Sequence, residues 1–128
     1  FAVMIKNIIF VALGGSIGSV LRYLTSVWVA KNYSMTFPLG TFIINILGCF
    51  VIGLLIGLSS RTFFNEDLRM LLIVGFCGGY TTFSTFSSEN IKLLETGNYW
   101  TLISYVCLSC ILGVMAVWAG AALSKIIH

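Results

Sequence analysis

The sequence predicts an all-α integral membrane protein of four transmembrane helices, and three observations predict it. Only 9% of the residues are charged while 59% are hydrophobic, whereas a soluble domain carries about 25% charge. Mean hydropathy is +1.04. Four apolar stretches each reach the roughly 20 residues a helix needs to cross the hydrocarbon core of a bilayer. A single membrane domain over residues 1–128 is therefore expected, with helices at about 7–29, 40–59, 68–94 and 99–124.

The first helix begins behind Lys6, and a basic residue before an apolar run resembles the start of a secretory signal. The run continues past Arg22 to Trp28 without a small-residue cleavage site, so it reads as a membrane helix. A loop holding Lys31, Asn32 and the single proline, Pro38, leads to the second helix. The polar connection 59–67 leads to the third, and Gly97-Asn98 turns the chain into the fourth. Gly14 and Gly18, Gly53 and Gly57, and Gly113 with Ala116 and Gly120 recur at three- and four-residue spacing. Small residues on one helix face let backbones approach closely in lipid, so these read as packing positions.

Seven basic and four acidic side chains lie almost entirely at helix ends. They form no run suited to nucleic acid and read as membrane anchors. Lys6, Arg61, Arg69 and Lys125 fall on the face of the termini, and Lys31, Lys92 and Arg22 toward the other. Because Lys and Arg on the cytoplasmic side set orientation, so even a split favours insertion both ways. Two oppositely inserted copies can pair about an axis in the membrane plane, giving an antiparallel dual-topology homodimer. Cys49, Cys77, Cys107 and Cys110 all lie in apolar segments and read as small packing hydrophobes. The CxxC spacing of Cys107 and Cys110 lacks the partners that a metal or redox site needs.

The third helix is the one that reads poorly as a plain span. Two adjacent glycines, Gly78 and Gly79, each cost about 1 kcal/mol of helix stability relative to alanine, and Thr81 and Thr82 follow. A break at residues 78–82 is predicted. Non-helical backbone at membrane depth survives only where it is buried in protein or lines a wet cavity. Freed carbonyls such as those of Gly78 and Thr81 can bind a cation. A glycine kink healed by water or threonine side chains is the plainer alternative.

Beyond the break, Phe83 and Phe86 share a face, among Ser84, Thr85, Ser87, Ser88 and Glu89. Hydroxyls donate hydrogen bonds to anions, and the rim of a phenyl ring carries positive partial charge. Phenylalanine at this spacing is also ordinary core. Helix two adds Thr41, Asn45 and Gly48 on one stripe, where Asn45 either joins helices or lines a path. Arg22, well inside helix one, either snorkels outward or faces water. Tyr105 and Ser109 lie four apart on helix four.

Together, Gly40-Thr41 with Asn45 and Gly48, and the run from Gly75 to Phe86, resemble the signatures of the Fluc-type (CrcB-like) fluoride channel family across essentially the whole chain. The resemblance implies a dual-topology homodimer in a bacterial inner membrane that passively exports fluoride through two pores. It also implies a central structural sodium ion held by the main-chain carbonyls of Gly78 and Thr81 from both copies. By the same resemblance, Phe83 and Phe86 form an aromatic box, and Asn45 donates to the ion. Ser84 and Thr85 continue a hydroxyl track, Thr41, Tyr105 and Glu89 contribute, and Arg22 stands near the vestibule. Ser109 extends the track on helix four, where Gly113 one turn on departs from the expected hydroxyl.

The rival reading is a small dual-topology, proton-coupled multidrug exporter, but helix one holds Arg22 and lacks the embedded glutamate such exporters share. An enzyme is not expected, since no nucleophile, base and orienting group can be assembled.

Overall fold

In lipid every backbone polar group needs an internal partner, so an apolar stretch of spanning length becomes a helix. The computed structural model describes residues 1–127, and the described chain is helical throughout apart from short connections. Helix α1 covers Ala2–Asn32, α2 Leu39–Leu58 and α6 Tyr99–Ile127. Between α2 and α6 the third span is composite. A turn α3 (Glu66–Leu68) runs into a π-helix (Arg69–Cys77), then a short α4 (Gly78–Tyr80), and after two extended residues α5 (Phe83–Glu95). All four spans are long and apolar enough to cross a membrane.

Helix one outruns the expected limits at both ends, and helix four at its C-terminal end. The 31 residues of α1 measure about 46 Å at 1.5 Å per residue, well beyond a hydrocarbon core of about 30 Å. Their ends carry the charges: Lys6 pairs with Asp67 at 3.1 Å beside the start of the third span. Asn65 caps that span by accepting the Leu68 N–H at 3.0 Å. Gly97, with φ +76°, ends α5 in the left-handed conformation that a glycine adopts without strain.

Packing divides the helices into two close pairs, α1 with the π-helix and α2 with α6. Glycine makes both pairs. A Cβ on Gly14 would overlap the Leu71 carbonyl oxygen, and one on Gly18 the Phe76 carbonyl oxygen. In the second pair, a Cβ on Gly53 would overlap the Val117 carbonyl oxygen, and one on Gly120 that of Phe50. The small-residue stripes are therefore sites of backbone-to-backbone contact, as their spacing predicts. Gly113 differs, since its Cβ would meet only Cys49 Sγ at an ordinary 3.5 Å.

Cysteine packing holds for part of the set. Cys77 is buried and Cys49 half-buried, but Cys107 and Cys110 are exposed on α6. Their apolar surroundings in sequence are the lipid-facing side of a span, which spacing alone does not separate from core.

Candidate functional site

The third span leaves the helix inside the expected interval 78–82, but only in its second half. Gly78 keeps helical dihedrals (φ −62°, ψ −36°), and α4 runs through Gly79 to Tyr80. The extended residues are Thr81 (φ −80°, ψ 158°) and Thr82 (φ −150°, ψ 120°). The physical reason lies in the side chains. Gly79 is used for contact, since a Cβ there would sit 2.6 Å from the Gly15 carbonyl oxygen of α1. β-Branched threonines are stiff at χ1 and suit extended backbone. Gly78 faces open space, with no atom of this chain within 4 Å of where a Cβ would stand.

Breaking a helix frees donors and acceptors, and each must be traced. Thr81 donates both its N–H and its hydroxyl to the Cys77 carbonyl, at 3.0 and 2.9 Å. The Thr82 peptide is gripped from α2: its N–H donates to Asn45 Oδ1 at 2.9 Å, and its carbonyl accepts from Asn45 Nδ2 at 3.0 Å. Thr82 then caps α5, its Oγ1 accepting the Thr85 N–H at 3.2 Å and donating to Thr85 Oγ1 at 3.1 Å. From α1, Arg22 Nε donates to the Gly79 carbonyl at 3.0 Å, and the Thr25 and Tyr80 hydroxyls meet at 3.1 Å. Among the described residues, no donor reaches the carbonyls of Gly78, Tyr80 or Thr81.

Two turns beyond Thr82, α5 carries a second polar group. Glu89 accepts the Thr41 hydroxyl on Oε2 at 2.8 Å and the Tyr105 hydroxyl on Oε1 at 2.7 Å, so one carboxylate joins three helices. Tyr105 is fully buried, between the rings of Phe86 (centroids 4.9 Å apart) and Phe37 (5.2 Å).

The structure thus brings together Thr41 and Asn45 of α2, Thr81, Thr85 and Glu89 around the break, Tyr105 of α6 and Arg22 of α1. Gly48 belongs to the same stripe, packed against the Thr81 side chain. Phe83 and Phe86 do share a face, with centroids 5.8 Å apart, but their surroundings differ. Phe86 leans on Tyr105, whereas Phe83 is 77% exposed. Ser84 is exposed too, 3.4 Å from the Thr82 hydroxyl. Ser109 stands apart: its Oγ is buried and has no partner among the described residues.

The capping role of Thr82, and Phe37 altogether, escaped the sequence reading. A threonine directly before a helical run is an N-cap signal, hidden here because Thr82 was counted within the expected break 78–82. Phe37 sits in a loop beside Pro38, where no periodicity marks it.

Comparison with known proteins comes out in one direction. Residues 9–121 match the family described as CrcB-like protein, Camphor Resistance (CrcB). A protein of Flavobacterium psychrophilum named fluoride-specific ion channel FluC is 48% identical over 94% of this chain and 98% of its own length. Proteins of the same name from Azobacteroides pseudotrichonymphae and Leptospira interrogans are 46% and 40% identical over 95% and 94% of this chain, and 98% and 95% of their own lengths. With four apolar spans and a match over nearly its full length, this multi-pass membrane chain belongs to the CrcB-like family.

Proposed function

We propose that this chain is the subunit of a fluoride-selective ion channel that lets fluoride leave the cell passively. The observation that carries the reading is identity of 40 to 48% to proteins named fluoride-specific ion channels, over nearly the whole of both chains. It is a channel and not an enzyme, and its place is the inner membrane of a bacterium. The working unit is an antiparallel dual-topology homodimer with two pores, and the break lies near the bilayer centre.

Three features of the protomer support that assembly. Carbonyls without donors, at Gly78, Tyr80 and Thr81, sit beside the exposed Gly78, and the exposed Phe83 ring and Ser84 follow immediately. In lipid such groups need a partner, and a second copy meeting this face supplies one. The carbonyls of Gly78 and Thr81 fit a sodium ion, being hard oxygen donors that no N–H or O–H occupies. Two from each copy would hold it. Such an ion supplies a fixed positive charge between the copies.

Fluoride is small, strongly hydrated and a strong hydrogen-bond acceptor, so a path must replace its water with donors and exclude larger halides by width. Asn45 keeps one amide hydrogen beyond its bond to Thr82. Phe83 and Phe86 offer ring edges, and Ser84, Thr85, Thr41, Tyr105 and Ser109 offer hydroxyls. Glu89 orients two of these, and Arg22 raises the local anion concentration. The test is reconstitution of the purified chain in liposomes with a fluoride electrode outside. Rapid fluoride release with little chloride loss is expected; equal release of both halides defeats the assignment.

A further inference from the structure

A cavity of about 370 Å³ opens under the connection between α1 and α2. Ser26 and Tyr33 line its α1 side, Ser34 and Phe37 belong to the connection, and Thr41 and Glu89 line it as well. At about 30 Å³ per molecule in the liquid, the space takes roughly ten waters, enough for a small ion with its first hydration shell. It thus has room for water beside Thr41 and Glu89 of the Thr41–Glu89–Tyr105 hydrogen-bonded group.

Tyr105 itself does not line the chamber. Phe37 is the ring that touches both: it lines the cavity and meets Tyr105 edge-on, with centroids 5.2 Å apart and planes at 75°. A second edge contact, to Phe42 at 5.3 Å and 77°, braces it from α2. Pro38, directly after it, lacks an N–H and fixes its own φ, so the ring is presented from a stiff support.

We infer that Phe37 closes the loop-side mouth of the conducting path, the chamber being where the ion exchanges its protein donors for water. This rests on the fluoride-channel reading. The Phe37 ring makes no hydrogen bond, so its part is width: it sets the gap between the chamber and the Tyr105 hydroxyl. An ion passing it stays close to the Thr41 and Tyr105 hydroxyls, whose hydrogens turn from Glu89 to the ion, until the shell of water is complete. A smaller side chain widens the gap and admits larger halides.

The test labels the chamber and changes the ring. Ser34→Cys chains are reacted to completion in detergent with a bulky cationic thiol reagent, confirmed by mass, and reconstituted beside unlabelled Ser34→Cys and an equally treated parent chain. The treated parent gives the background from the four native cysteines. Fluoride efflux falling about tenfold on labelling of Ser34→Cys alone is expected. In Phe37→Ala, the fluoride-to-chloride flux ratio falls severalfold, while Phe37→Leu, which keeps more of the volume, stays nearer the parent. Full labelling with unchanged efflux, or Phe37→Ala with an unchanged halide ratio, overturns the inference and leaves the channel reading standing. A parent chain that releases no fluoride faster than chloride defeats that reading instead.

Discussion

Along α2, Gly53 and Gly57 approach the Val117 carbonyl and Ser124 of α6, whereas Thr41 and Asn45, two to three turns earlier, meet a carboxylate and a peptide group on the third span. One helix therefore does both jobs. Its second half closes an apolar, backbone-to-backbone seam whose value is contact, and its first half satisfies polar groups that a helix break has exposed. In lipid the seam gains little from hydrophobic burial, since lipid tails are as apolar as leucine, and its stability comes from closeness. The break has the opposite economy: it adds unpaired peptide groups to the membrane, and Asn45, Thr82 and Arg22 hold them. Substitutions in the seam are expected to lower the amount of folded protein, and those at the break to lower transport.

The largest effect belongs to the seam. Gly120→Val drives side-chain atoms into the Phe50 carbonyl, and overpacking of this kind costs about 1–3 kcal/mol or more. Loss of the monodisperse peak in detergent chromatography checks it, and folded protein at wild-type level would break the comparison. Next comes Asn45→Ala, which strips both bonds from the Thr82 peptide at about 1–3 kcal/mol for each buried group left unpaired. Here the expected reading is much reduced fluoride efflux per folded molecule, measured with matched protein in liposomes. Thr82→Ala removes the cap of α5, worth about 1 kcal/mol, and Thr82→Ser restores thermal stability in detergent.

Neighbouring glycines sharpen the contrast further. Gly79→Ala meets the Gly15 carbonyl, while Gly78→Ala meets nothing in its own chain. Only Gly79→Ala is expected to lower the yield of folded protein; a loss of efflux confined to Gly78→Ala would mark the face where a second copy sits. The smallest effect is that of Cys107→Ala with Cys110→Ala, exposed on α6. Stability within about 0.5 kcal/mol of the parent is expected there, and a larger shift would mean that this face is covered.

Four spans, their glycine stripes and the Gly97 turn were legible in the sequence because length and spacing are local signals. So was the stripe of Thr41, Asn45 and Gly48, which period 3.6 places on one face. The break falls within the expected 78–82, but its confinement to Thr81 and Thr82 was not legible. Propensity singles out Gly78 and Gly79, but tertiary contact decides: Gly79 must stay helical to approach Gly15, and the extended backbone falls to Thr81 and Thr82. Equally hidden was the bond from Arg22 to the Gly79 carbonyl, across 57 residues, which no spacing encodes. The π-helix carries no compositional mark that separates it from an α-helix. Exposure of Phe83 against the half-burial of Phe86 depends on which helices stand beside α5, again beyond any periodicity.

The claim at the centre is that the polar groups around the broken span conduct, while the glycine seams only hold them in place. Phe83 tests it directly, because its ring is mostly exposed in the protomer and its replacement disturbs the contact with Phe86 and not the buried core. Fluoride efflux from liposomes is to be measured for Phe83→Ile at protein levels matched by chromatography of the folded species. A normally folded chain whose efflux is strongly reduced is the predicted result. Undiminished, fluoride-selective efflux from that variant would contradict the account.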